Sequence, residues 1–279
     1  MTTATPISAA DVNKLRQQTG SGMMDCKKAL TEANGDFEAA IDILRKKGQK
    51  IAANRQDREA KEGYVFGKVT ADGKHGVVVA ICCETDFVAK NEEFVKYGES
   101  ILDLAVANNS QSIDEVKALK LGDRTVGDTL VDQMGKIGEK IDLVDFQNVA
   151  AEKVIVYNHP GNKLTAVVAF NTGNDALNEA GRDVAMQVAA MAPVAIDKDD
   201  VDPTLLEREV EIAKEQIRAE GKPENMIEKI AAGKINKFYS EYTLLNQQFI
   251  KDEKKTIRQY LEGIDKTAKL TAMKRVKLG

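Results

Sequence analysis

Cys83-Glu84-Thr85-Asp86-Phe87-Val88-Ala89-Lys90-Asn91-Glu92-Glu93 sets a hydroxyl, a carboxylate and a large aromatic side by side just where an apolar run, Val77 to Ile81, gives out. The run reads as a buried strand. Asp86 alone is a poor metal site, because hard divalent cations collect several oxygens. Phe87 supplies much contact area at little rotamer cost. Aromatic residues are scarce, 5% of the chain with no Trp. One placed where a strand hands over to a polar helix start either pins the loop or is offered to a partner.

Other reactive groups are few. The cysteines are Cys26, Cys82 and Cys83, an odd count with two adjacent, so no disulfide framework is implied and a reducing compartment fits. His75 and His159 are the only histidines, and neither stands at metal-ligand spacing from a Cys or from the other. No metal site and no cofactor is expected. The chain lacks G-x-S-x-G, P-loop and G-x-G-x-x-G signatures. Its acids fall at i, i+4 from Lys or Arg on helical faces, where ion pairing explains them. An interaction protein, and not an enzyme, is the expectation.

The elements that must carry these residues fit within 279 residues, enough for two or three small domains. Composition is that of a soluble protein, 43% hydrophobic and 30% charged, with net charge −4. No basic field suggests direct nucleic-acid binding. Lys27-Lys28, Arg45-Lys46-Lys47 and Lys254-Lys255 have acids nearby and read as solvated faces. Met1-Thr2-Thr3-Ala4-Thr5-Pro6 has neither the charged nor the apolar region of a signal peptide, and no apolar run is long enough to span a membrane, so a cytoplasmic location is expected.

Residues 8–48 read as three helices. Ser8 with Asp11 forms a capping box, Val12 and Leu15 stripe the first helix, and Thr19-Gly20-Ser21-Gly22 stops it. Cys26, Ala29, Leu30 and Ala33 stripe a second helix from Met23 to Ala33. After Asn34-Gly35, Asp36 caps a third with Phe37, Ala40, Ile41 and Leu44 inward, and Gly48 is expected to end it. At most one of the adjacent Met23 and Met24 can face so small a core. Flexible thioethers at a loop–helix junction suit an adaptable binding surface.

Thr19 to Leu30, continuing Asn34-Gly35-Asp36, resembles the amino-terminal domain of elongation factor Ts, which is similar in fold to ubiquitin-associated modules. The resemblance resumes at Cys83-Glu84-Thr85-Asp86-Phe87-Val88-Ala89-Lys90. Between them, residues 51–62 read as a charged helical linker.

The rest of the chain reads as one unit used twice. Strands at Tyr64–Thr70 and Val77–Cys82 precede a helix over Phe94 to Ala107; strands at Val154–Tyr157 and Leu164–Phe170 precede a helix over Asp175–Ala192. Thr125-Val126 and Thr256-Ile257 each open a further helix, followed by strands at Ile141–Val149 and Leu270–Lys277. The fold class is therefore α+β: a three-helix ubiquitin-associated-like domain (1–50), the linker (51–62), and a duplicated core of antiparallel sheet and helices (63–150 and 151–279). Residues 204–239 insert a helical hairpin around Gly221-Lys222-Pro223, striped by Leu206, Val210, Ala213 and Ile217 on one arm and Ile227, Ile230 and Phe238 on the other. It either packs within the protein or meets a second copy of itself. The resembling family carries such a hairpin, which makes a dimer in some members. Longer members carry a further carboxy-terminal helix; the resemblance is to the bacterial type without it.

Elongation factor Ts is a translation elongation factor and nucleotide exchange factor. The resemblance implies a chain that binds the GTPase EF-Tu in its GDP-bound and nucleotide-free forms and has no active site of its own. It assigns Thr85, Asp86, Phe87 and Val88 to displacing the partner's magnesium, with Phe87 as a wedge and Asp86 disturbing the hydrogen bonds that hold the ion. It assigns partner contacts to Arg16, Met23, Met24, Lys27, Ile137, Gly138 and His159. The turn at His159 carries Pro160, which the family's turn usually lacks. A rival reading is a ubiquitin-associated-type adaptor without exchange activity.

Overall fold

The computed structural model describes residues 7–279; the reading of residues 1–6 as free of a signal peptide lies outside the described residues. The chain falls into two compact units. One runs through Phe66 and adds Val77–Asn148 and Lys277–Gly279; the other joins Gly67–Gly76 to Val149–Val276.

The first unit opens with α1 (Ala9–Thr19), α2 (Met23–Glu32) and α3 (Phe37–Asn54). Ser8 Oγ accepts from the Asp11 amide at 3.1 Å and Asp11 accepts from the Ser8 amide at 3.2 Å, the capping box expected of this spacing. Gly20, at φ +68°, closes α1 in a left-handed conformation that glycine adopts without strain. Val12, Leu15, Cys26, Ala29, Leu30 and Ala40 bury one another between the three helices.

Gly48 does not end the third helix: α3 continues to Asn54. The absent side chain serves packing instead. A Cβ at Gly48 would stand 3.1 Å from the Val131 carbonyl, and one at Gly135 would stand 2.9 Å from the Gly48 Cα. The two glycines let α3 approach the helix bearing residues 131–135 backbone to backbone. The expected helical linker is correspondingly short, since residues 55–61 form turns and irregular chain.

Next come β1 (Glu62–Val69), β2 (His75–Cys83), α4 (Asp86–Ala89), α5 (Glu92–Ala107), α6 (Ile113–Ala118), β3 (Lys120–Leu121), β4 (Arg124–Thr125), α7 (Val126–Ile137) and β5 (Asp142–Ala150). The main sheet has the order β1-β2-β5. Tyr64, Ile81, Phe94, Ile101, Leu130 and Ile141 are central to its core. From Gly76 on, every residue of β2 is buried, so both faces of the strand are covered and Cys82 and Cys83 are enclosed on opposite sides. Burial pushes the Cys83 thiol up to about 12, which makes it a packing residue and a poor nucleophile.

The second unit holds β6 (Lys153–Asn158), β7 (Leu164–Phe170), α8 (Leu177–Met191), α9 (Pro203–Ala219), α10 (Glu224–Tyr242), β8 (Gln248–Phe249), β9 (Asp252–Thr256), α11 (Ile257–Ile264) and β10 (Leu270–Lys277). Its three-stranded sheet has the order β10-β7-β6, with β6 antiparallel to β7 and Lys153 opposite Phe170. Phe170, Leu177, Val184, Leu244, Ile257 and Leu261 lie in its core. The α9–α10 hairpin turns at Gly221 (φ +71°) and buries Ile217, Ile227 and Ala231 against one another. Lys214 and Glu228 pair across it at 2.9 Å. Helices and sheets thus mix within each unit, as an α+β chain requires.

Candidate functional site

In the first unit β2 runs straight into the polar loop. Thr85 is the N-cap of α4: its side chain accepts from the Val88 amide at 3.4 Å. Asp86 and Phe87 are thereby the first residues of a single helical turn, and Val88 turns inward onto the core beneath. Phe87 points the other way and is 84% exposed. The loop does not use its aromatic to pin itself; Val88 fills that role.

Met23 and Met24 are exposed by 52% and 63%. Both residues of the pair face out, because Cys26 and Leu30 supply α2's inward stripe. Arg16, Met23, Phe87, Val88 and Ile137 line one open cleft of about 600 Å³. Exposed apolar side chains gathered on one concavity mark an interaction surface. Met24 and the exposed Lys27 lie just along α2, outside the cleft lining. Gly138 follows Ile137 as the left-handed cap of α7, at φ +83°.

The cleft rim carries both signs of charge. Lys136 meets Glu93 at 2.6 Å, and that hydrogen bond holds the Glu93 carboxyl below its ordinary value. Asp86 meets Lys90 one turn on, at 2.6 Å, and holds the Lys90 ammonium above its own.

Beneath the loop lies a set of contacts that the sequence does not announce. Glu139 accepts the Glu84 and Thr85 amides at 3.1 and 3.0 Å and the Thr85 hydroxyl at 2.7 Å. Glu84 in turn accepts the Lys140 amide at 2.6 Å, and its two oxygens take Arg55 Nη1 at 2.6 and 2.7 Å. Lys140 Nζ donates to the carbonyls of Gln56 and Arg58 at 2.7 and 3.0 Å. Burial pushes the Glu84 carboxyl up, but the Lys140 amide and the Arg55 guanidinium outweigh it and leave it below the ordinary 4.5.

His159 belongs to the second unit. It is exposed, and its Nδ1 lies 3.1 Å from the Tyr157 hydroxyl. Asn158 anchors the turn by pairing with both backbone groups of Gly67, at 2.8 and 2.9 Å. Among the described residues no cluster of three or more His, Cys, Asp or Glu is placed to hold a metal ion, and no helix is long and apolar enough to cross a membrane. The arrangement offers an exposed aromatic ring beside a rim of mixed charge.

A family model described as Elongation factor TS matches residues 84–279. The chain is 56% identical over 274 residues to Elongation factor Ts of Cytophaga hutchinsonii, covering 98% of this chain and 99% of that protein. It is 50% identical over 275 residues to the protein of the same name from Amoebophilus asiaticus, with the same coverage. Against that of Flavobacterium psychrophilum the identity is 48% over 273 residues, again covering 98% and 99%.

Proposed function

The chain belongs to the elongation factor Ts family and is a translation elongation factor, and from that premise we propose that it is a guanine nucleotide exchange factor for EF-Tu. It acts by binding, with no catalytic residues: it stabilises the nucleotide-free partner more than the GDP-bound one. The observation that carries this reading is Phe87, 84% exposed at the tip of a loop whose backbone is held from below. A ring kept in water at the lip of an apolar cleft stabilises nothing in the free protein and is available to a partner.

In this reading Phe87 enters an apolar pocket near the partner's magnesium site. Asp86 then disturbs the hydrogen bonds that hold the ion. With magnesium loosened, the phosphate charge of GDP is poorly neutralised and affinity falls. Thr85 and Val88 hold the turn that aims both residues. Arg16, Met23, Met24, Lys27, Ile137 and Gly138 dock on the partner, and His159 contacts another of its domains. Accelerating release ten-thousand-fold takes about 5.5 kcal/mol of differential stabilisation. Two or three buried anchors at about 2 kcal/mol each reach that figure.

The same reading takes the three front helices as a ubiquitin-associated-like docking module and the two sheet-and-helix halves as a duplicated core, in a cytoplasmic protein without direct nucleic-acid contact. The hairpin buries Ile217, Ile227 and Ala231 within itself, which favours internal packing of its stripe over use of those residues between two copies. An adaptor built on the front helices alone would leave Phe87 without a role, since the cleft takes its lining from both α1–α2 and the Thr85–Val88 turn.

Calorimetric titration into EF-Tu tests the proposal. Binding to the nucleotide-free form is expected to be tighter than to the GDP form, with added GDP driving the complex apart. Equal affinity for the two forms rules out exchange, because a ligand without differential affinity shifts no equilibrium.

A further inference from the structure

Phe87 can act as a wedge only if its loop resists being pushed back, and α4 is a four-residue turn too short to hold itself. We propose that Glu139, at the α7–β5 turn, is the positioning residue of the wedge: its carboxylate clamps the backbone from which Asp86 and Phe87 project. The proposal rests on the exchange reading above.

The geometry is reciprocal. Glu139 accepts the Glu84 amide, the Thr85 amide and the Thr85 hydroxyl, at 3.1, 3.0 and 2.7 Å. One residue on, Glu84 accepts the Lys140 amide at 2.6 Å. Each of the two segments thus presents a carboxylate to the other's backbone N–H groups. The Thr85 hydroxyl is used at both ends, donating to Glu139 while accepting from Val88, so the clamp fixes the cap of α4 as well as its entry. Backbone contacts of this kind hold the turn whatever side chains it displays.

Glu84 carries the clamp to the front helices. Arg55, the C-cap of α3, grips its carboxylate, and Lys140 caps the carbonyls of Gln56 and Arg58 just beyond. The position of α3, set by the Gly48–Gly135 approach, and the aim of Phe87 are therefore tied through one set of charge-assisted bonds. Separation of Glu139 from Thr85 by 54 residues explains why no local motif reveals it.

The test compares wild type, Glu139→Ala and Glu139→Gln, each as the full chain. GDP release from EF-Tu is read across a range of exchange-factor concentrations, and amide hydrogen exchange is read on the protein alone. Glu139→Ala is expected to lower the maximal release rate about ten-fold, the worth of one charge-assisted hydrogen bond, with the half-saturating concentration within about two-fold of wild type. Amides 84–89 should exchange faster while those of β2 and α7 keep their protection. Glu139→Gln retains a carbonyl acceptor and should recover most of the rate. A wild-type maximal rate in Glu139→Ala overturns the assignment. So does loss of protection throughout β2 and α7 with no rescue by Gln, which marks a general structural role. The amide arm needs no partner: if the wild-type protein releases no GDP, the exchange reading fails, and unchanged amides 84–89 in Glu139→Ala are what would then overturn the clamp.

Discussion

Replacing Phe87 by Ala removes a ring that is 84% exposed. Were Phe87 a loop pin, the change would create a cavity and cost about 3–5 kcal/mol of stability. From its exposure the cost to folding should instead stay within about 0.5 kcal/mol, the usual range for surface positions. Against EF-Tu the ring has nearly all its surface still to bury. Full burial of a Phe side chain is worth about 1.5–3 kcal/mol, so the variant should release GDP about ten- to hundred-fold more slowly at equal concentration. Urea unfolding followed by circular dichroism reads the first quantity, and release of a fluorescent GDP analogue reads the second. A variant that folds as well as wild type and exchanges within about two-fold of it refutes the wedge. One that unfolds readily refutes the placement of Phe87.

Three further outcomes follow from the same geometry. Met23→Ala, at a side chain 52% exposed on the cleft, should leave stability unchanged and raise the half-saturating concentration in exchange; an unchanged value removes Met23 from the contact surface. Gly135→Ala puts a methyl 2.9 Å from the Gly48 Cα, so it should cost about 1–3 kcal/mol by overpacking in urea unfolding, and full wild-type stability would show that α3 does not need this approach. Glu84 has a carboxyl held below its ordinary 4.5, so its contribution is whole above that value and is lost as pH falls through the lower folded value. The stability gap between wild type and Glu84→Gln should accordingly be largest above pH 4.5 and shrink below it in acid titrations, and a gap that grows on acidification reverses the assigned sign.

Much of the fold is legible in local patterns. The Ser8–Asp11 box, the Asp36 cap, the Val77–Ile81 run and the hairpin around Gly221 each follow from a few neighbouring residues, and each lies where the spacing puts it. What local pattern leaves open is decided at long range. Gly48 looks like a helix stop, yet its missing side chain admits α7, a contact that nothing within α3 encodes. Met23 and Met24 cannot be sorted into inside and outside from adjacency alone; both turn out because Cys26 and Leu30 already fill the small core. Asp86 and Phe87 stand out by type, and Arg16, Met23 and Ile137 line the cleft together with Phe87. Glu139, Glu84 and Arg55 do not stand out, since each reads as one more surface charge until the fold brings them together.

Exchange by magnesium displacement is tested by the release of a fluorescent GDP analogue from EF-Tu after addition of catalytic amounts of this protein, repeated from low to high magnesium. Strong acceleration that fades as magnesium rises and holds the ion in place is the expected result. No acceleration at any magnesium concentration, with both proteins folded and EF-Tu loaded with nucleotide, contradicts it.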